Sequence, residues 1–560
     1  MAHSERLEDF ALGVPGYRFS HLYQPARLKG LYEEFWRQAE AAEPGLRARF
    51  EAAHAPGISE PQKSQALIDV AHRYGEFVAR LFHITADVAR IRNQTLALDP
   101  IFRFKNEFLK TRVFKRFTDP PMGEAEFIAV DKLVQGMRAQ EPEDSRGDDE
   151  ARFAKAVLFL LDCSKKIKKE LLSPVEQSRA QSFCSPLAGS HLEGKIQEAL
   201  KLFEDWCVHV HTDPKRLSYI DGWVSYHRPE KVEFENLVPT DPGPLGIPEH
   251  RVKNTHLRPR DGFKLTDRRM GQKQILREID YCLYCHQREK DSCSKGFVEK
   301  EGGFKKNPLG IALQGCPLDE RISEMHWLRK KGEPLAALAM VILDNPLCPG
   351  TGHRICNECM KACIFQKQEP VNIPENETAV LVEVLNLPYG VEIYGLMTRL
   401  NPLNRQRPYA LPYHGNDVLV VGLGPAGYTL SHYLSNEGFG VVGIDGLKIE
   451  PFSDELTGKG KSFPKPIKQY SDLTRELDER VLRGFGGVSE YGITVRWDKN
   501  FLGLIYLTLL RRHNTRFYGG VRFGGTLTLD DAWDLGFKHV ALATGAGRPT
   551  LVTMKNNLSR

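Results

Sequence analysis

Apolar residues recur every three or four positions through ARLKGLYEEFWRQAEAAE (26–43), SQALIDVAHRYGEFVARLFHITADVARI (64–91) and ARFAKAVLFLLDCSKKIKKELL (151–172). That spacing gives a 3.6-residue helix one apolar face, so residues 1–225 are predicted to be an all-α region. Glycine and proline collect between these runs, and the acidic QEPEDSRGDDE (140–150) is predicted to be an exposed loop. The pattern breaks over 226–274, where proline-rich ENLVPTDPGPLGIPEHRVKNTHLRPRDGF reads as a linker or strap. A cysteine-rich helical stretch follows at 275–400. From Asp417 the period changes: Val418 to Val421 form an apolar run of strand length, and a second such run ends at Asp445. The expected architecture is therefore multidomain, with an α/β part over 415–560.

Composition adds little to this. A chain of 560 residues is long enough for several cores. Its net charge of +5, from 77 basic and 72 acidic side chains, gives no global argument for nucleic acid. MAHSERLEDFALG lacks the pattern of a secretory signal and no run of about 18 apolar residues occurs, so a cytoplasmic chain without a membrane span is expected. WCVHVH (206–211) reads as a helix or strand end with ordinary histidines.

In a reducing compartment, clustered cysteines point to metal or redox chemistry. Of 11 cysteines, eight fall between Cys282 and Cys363: Cys282-x2-Cys285-x7-Cys293-x22-Cys316-Pro317, then Cys348-x7-Cys356-x2-Cys359-x3-Cys363. Two C-x2-C pairs could hold one tetrahedral zinc, which leaves four cysteines without a task. Eight thiolates suit two four-iron clusters, and the Cys-Pro and compact last run favour them.

Glycines supply the second motif. In DVLVVGLGPAGYTLSHYLSNEGFGVVGID (417–445), Gly422-x-Gly424-x-x-Gly427 joins the first strand to a helix with one apolar face. Gly422 permits a tight turn, Gly424 lets backbone approach a pyrophosphate, and Gly427 allows close helix–strand packing. The helix N-terminus supplies donors for phosphate, and Asp445, 18 residues beyond Gly427, is placed for a ribose hydroxyl pair. GKGKS (458–462) is no phosphate loop, since Glu455 stands where that motif needs glycine.

Together these segments resemble the iron–sulfur and flavin parts of the glutamate synthase small chain and of dihydropyrimidine dehydrogenase. The matches are Cys316-Pro317, Gly332 with Ala336 and Ala337, Asn345-Pro346, Cys356/Cys359/Cys363 and Pro370 to Ile373. The Gly-Pro-Ala-Gly form (with Pro425 and Ala426), the stretch Arg483 to Ile493 containing Gly487, and HVALATGAGRP (539–549) with Thr544, Gly545 and Ala546 continue the likeness. The resemblance implies an α-helical di-cluster iron–sulfur domain and an incomplete Rossmann-like FAD domain. It implies one [4Fe-4S] cluster on Cys316, Cys356, Cys359 and Cys363, and another on Cys282, Cys285 and Cys293 completed by Glu377. Cys348 is the rival fourth ligand, as the softer donor.

Three departures stand out. The 22 residues between Cys293 and Cys316 are an insertion, either a surface loop or a cover. Residues 446–483 are a second insertion. No second GxGxxG unit for NAD(P)H follows, so the chain is expected to be a fragment. The implied activity is that of an FAD-dependent NAD(P)H oxidoreductase, passing electrons through two clusters to a partner subunit, domain or ferredoxin-like carrier. The alternative is a zinc-stabilised interaction or assembly protein with a degenerate nucleotide-binding domain.

Overall fold

The computed structural model describes residues 9–142, 147–189, 191–238, 240–242, 245–246, 248–250, 264–265, 268–352, 355–460, 463–477, 483–491 and 497–546. Residues 239, 243–244, 247, 251–263 and 266–267 of the expected strap, the end of GKGKS, the last residues of the 483–493 stretch and the end of HVALATGAGRP lie outside them.

Helices dominate. Pro25–Ala42, Glu60–Leu81 and Thr85–Leu96 realise the first two periodic runs, and Asp149–Ile167 the third. The long middle run is interrupted at His83, whose φ of 57° is left-handed and turns the chain between two helices. At the start of the Glu60–Leu81 helix Ser59 donates from its N–H and its hydroxyl to Gln62 Oε1, at 3.2 and 2.8 Å, and Pro61 follows in the first turn.

The helical region serves two cores rather than one. Residues from Leu12 to Ile91 pack into a single apolar cluster with Met325 to Leu509. The helices Glu60–Leu81 and Pro334–Asp344 cross closely, because Gly75 has no side chain: a Cβ there would lie 3.0 Å from the Ala336 nitrogen. Ser64 donates to Glu324 at 2.6 Å and His72 bonds Glu333 at 2.9 Å along the same seam. Residues Phe104 to Tyr226 close a second core of their own around Phe153, Phe203 and Trp206.

Six short strands complete the picture. β1 (Thr240–Pro242) and β2 (Pro248–His250) pair antiparallel. β3 (Asp417–Val421), β4 (Gly440–Asp445), β5 (Thr515–Gly519) and β6 (His539–Leu542) form one parallel sheet in the order β5-β4-β3-β6.

This corrects the expected fold class. About 53% of the chain is helical and the parallel sheet is small, where a Rossmann-like domain of two βαβαβ halves needs about six strands. Nor is a di-cluster domain displayed: among the described residues, no three His, Cys, Asp or Glu side chains gather to hold a metal ion. Four of the eight clustered cysteines stand around one cavity, and no three of them converge on a point. The segments at 325–400 and 500–510 do not close cores of their own but share one with the N-terminal helices. Among the described residues, no single helix is long and apolar enough to cross a membrane.

Candidate functional site

The glycine turn lies between β3 and the helix Pro425–Asn436. Gly422 has φ of +97°, and a Cβ there would overlap the Ala543 carbonyl, whose carbon is 2.9 Å away. A Cβ on Gly427 would overlap the carbonyl of Gly422. Both glycines are thus required by backbone packing. Gly424 differs: its φ of −75° suits any residue, and a Cβ would find nothing closer than Gly487 Cα at 3.7 Å. The space above it is open.

That space is a cleft of about 390 Å³ beyond the carboxyl ends of β3, β4 and β6. Gly422, Gly424, Pro425, Ala426, Asp445, Gly487, Thr544 and Gly545 all line it, so four separated sequence stretches meet there as expected. Gly427 packs beneath the turn, while Ala546 is exposed outside the lining. Asp445 accepts from the N–H of Leu423 at 2.9 Å and of Leu447 at 3.0 Å, which fixes its carboxylate at the cleft wall. Arg522, which the sequence reading passed over, adds a cation to the lining. Only its position after β5 could have pointed to it.

The cysteines divide into two groups. Cys282 ends the helix Gln272–Tyr281, Cys285 opens the following turn, and Cys293 sits in the short helix Ser292–Lys295. These three line an enclosed cavity with Cys363, Ile322, His326, Val371 and Ile373. Cys363 therefore belongs with the first group, not with Cys316, Cys356 and Cys359. Burial raises every one of these thiols: Cys285 to about 11, Cys282 to about 12, and Cys293 and Cys363 upward as well. Cys293 donates to Asp291 at 3.1 Å, and desolvation, then Glu324, lifts that carboxyl to about 6. His326, buried on the same cavity, has neither ring nitrogen hydrogen-bonded.

The insertion between Cys293 and Cys316 folds back on itself through bridges Val298 to Phe304 and Lys306 to Ala312. It delivers Cys316 beside its starting point, where the Cys316 N–H donates to the Cys293 carbonyl at 2.9 Å. It is thus a surface loop that closes without separating the two groups.

The second group gathers Cys316, Cys356 and Cys359 near the buried carboxyls Glu320 and Glu377. Glu320 and Glu377 both press on Cys316 and Cys359 electrostatically, and Cys356 presses on Glu377. Desolvation first, then Glu320, raises Glu377 well above the carboxylate range, and burial raises Glu320 as well. Oε1 of Glu377 has no hydrogen-bond partner. Cys348 lies buried beside both acids, so Glu377 and Cys348, expected as rivals to complete the first group, both stand with the second. Glu320 was not read from the sequence, where nothing distinguishes it from a surface charge.

The two sites adjoin. The turn Cys348–Gly350 packs on the glycine-turn helix, since a Cβ on Gly350 would lie 2.6 Å from the Tyr428 hydroxyl. Trp497 donates from Nε1 to the Pro349 carbonyl at 3.0 Å, pinning the turn from the other side.

No family model matches the chain. It is 50% identical over 206 residues to Uncharacterized protein RP006 of Rickettsia prowazekii (strain Madrid E), covering 37% of this chain and 28% of that protein. It is 20% identical over 273 residues to Uncharacterized protein RP005 of the same organism, covering 48% of this chain and 80% of that one. The chain thus spans little more than a quarter of the first relative's length.

Proposed function

We propose that the chain is an electron-transfer component in which a flavin dinucleotide occupies the glycine-turn cleft and iron–sulfur clusters occupy the two cysteine groups. The single observation that carries this is the contact of the Cys348–Gly350 turn with Tyr428. It sets the second thiol and carboxyl group directly behind the helix whose N-terminus opens on the cleft.

The glycine-turn cleft fits the proposed flavin. The open space above Gly424 admits a pyrophosphate, the first N–H groups of Pro425–Asn436 face it, and Asp445 stands at the ribose position. A single zinc holds its thiolates at about 2.3 Å, so four must crowd one point; the cavity walls instead space Cys282, Cys285, Cys293 and Cys363 around a volume. Cys316, Cys356, Cys359 and either Glu377 or Cys348 would serve the second group. Flavin would convert two-electron to one-electron transfer, and the clusters would carry single electrons. NAD(P)H is the proposed reductant, and a partner subunit or ferredoxin-like carrier the acceptor.

The buried walls have a definite task. Thiols held above their usual range stay protonated until a metal displaces the proton, so loading releases protons. Apolar Ile322, Val371 and Ile373 exclude water from the first group.

Purification without oxygen, followed by flavin, iron and sulfide analysis with a visible spectrum, tests this. About eight irons and one FAD per chain are expected. Zinc in place of iron, with no flavin, would favour the zinc-stabilised interaction protein.

A further inference from the structure

Away from both sites, three arginines meet in the interior at a junction of distant segments. Arg399 is 9% exposed, Arg511 8% and Arg512 5%. With Tyr23, Asn436 and His513 they line a cavity of about 20 Å³. Charges of this kind are rarely buried without partners, because desolvating an ion costs several kcal/mol even after relaxation.

Arg511 has its counter-charge. It donates from one nitrogen to both oxygens of the buried Glu392, at 2.7 and 2.8 Å, and from its others to the carbonyls of Leu456 and Lys465. Glu392 is fully engaged, since it also accepts from the Tyr23 hydroxyl and the Ile467 N–H, each at 2.7 Å.

Arg399 and Arg512 form no ion pair among the described residues. Arg399 donates to the carbonyls of Gly395 and Leu22, lies 4.7 Å over the Tyr23 ring and bonds its hydroxyl, and Glu392 acts on it only at longer range. Arg512 donates to the His432 carbonyl, the Ser435 hydroxyl and the Asn436 side-chain oxygen, and its other terminal nitrogen faces His432 Nδ1 at 2.8 Å. Its Nε–H is buried without any partner. Among the described residues, the only carboxylate ion-paired at this junction is Glu392, to Arg511. Three guanidiniums against one carboxylate leave about two positive charges inside the protein, as arginine does not give up its proton.

We propose that this cavity is a binding site for one compact inorganic anion of the size of chloride, held by Arg399 and Arg512. Its volume sets the limit: a water-sized occupant needs at least about 10–15 Å³, so there is room for a single small ion and none for a nucleotide or a carboxylate metabolite. Burial, with Arg399 beside it, pushes the Arg512 guanidinium down to about 9, and it lowers His513 too. A bound anion relieves that same cost.

The cavity's position gives the ion a task. Tyr23, Pro25 and Leu28 come from the N-terminal segment, Arg399 from the end of helix Gly390–Met397, and Arg511 to Asn514 from the link between the helix Asn500–Leu510 and β5. The anion would clamp the first helix onto the sheet, so that halide concentration sets how firmly the two are joined.

The full chain is unfolded thermally in sodium chloride and in sodium gluconate at equal ionic strength, and crystals are soaked in bromide. The expected results are a saturable rise of the midpoint in chloride, about 2 °C at about 100 times the dissociation constant, and an anomalous bromide peak between Arg399 and Arg512. Arg512→Gln should lose the chloride increment. Equal midpoints in the two salts with no bromide peak would overturn the site and leave a water in its place. A larger rise with sulfate or phosphate than with chloride would overturn the assignment by size.

Discussion

Replacing each motif glycine by alanine separates backbone packing from ligand space. At Gly427 the new methyl would overlap the Gly422 carbonyl, with the carbonyl carbon 2.8 Å away, and neither atom can swing aside because both belong to the turn. Overpacking of this kind costs typically 1–3 kcal/mol and more where backbone must shift, so Gly427→Ala should lose about 3 kcal/mol. At Gly424 the methyl meets only Gly487 Cα at 3.7 Å, and φ of −75° and ψ of −170° suit alanine. Stability there should stay within about 0.5 kcal/mol. Yet the methyl projects where the pyrophosphate would approach, and displacing it should weaken FAD by about tenfold or more, or about 1.4 kcal/mol. Urea unfolding and a fluorescence titration with FAD read the two quantities on the same proteins. Unchanged FAD affinity in Gly424→Ala, or unchanged stability in Gly427→Ala, would refute the reasoning.

The division of cysteines predicts a pattern in iron content. Cys285→Ser and Cys363→Ser should each lose about four of about eight irons, and the pair together no more, whereas Cys363→Ser with Cys359→Ser should lose nearly all. Additive losses for Cys285 with Cys363 would show that they serve different groups. Glu392→Ala should destabilise by about 3–5 kcal/mol, because it strands Arg511 as a buried charge; urea unfolding at fixed chloride measures it, and a loss under about 1 kcal/mol would contradict the buried pair. Asp344, raised by desolvation to about 7 in the fold against about 3.9 unfolded, stabilises fully below about pH 4. That contribution is lost as pH rises to about 7, so Asp344→Asn should flatten the slope of urea midpoint against pH across this window.

Local patterns in the sequence transfer well to local structure. The strand–turn–helix–strand order is realised at Asp417–Val421, Pro425–Asn436 and Gly440–Asp445, and eight of the ten residues read as cofactor-binding line one cleft. Each follows from neighbours in the chain, where glycine freedom and apolar period act directly. What the sequence conceals is which faces meet. Nothing near Gly75 marks it as the partner of Ala336, so the separation into domains could not be read. Cys363 lines the cavity of the first group, apart from Cys359, for a related reason. The short helix Glu358–Lys361 stops before it, and helical spacing therefore does not carry Cys363 to the side where Cys359 stands. Glu320 becomes distinctive only through burial beside Glu377.

The joining of Leu12 to Ile91 with Met325 to Leu509 has a consequence for how the protein is made. The helix Glu60–Leu81 leaves the ribosome long before Pro334–Asp344, the surface that covers it. At about 5–20 residues per second, its apolar stripe waits roughly 10 to 50 seconds for that partner. Residues Phe104 to Tyr226, whose core is local, can close in the interval. Folding thus runs from the middle outward, with an early folded island and the helix Glu60–Leu81 exposed to chaperones until the later cysteine-bearing segment arrives.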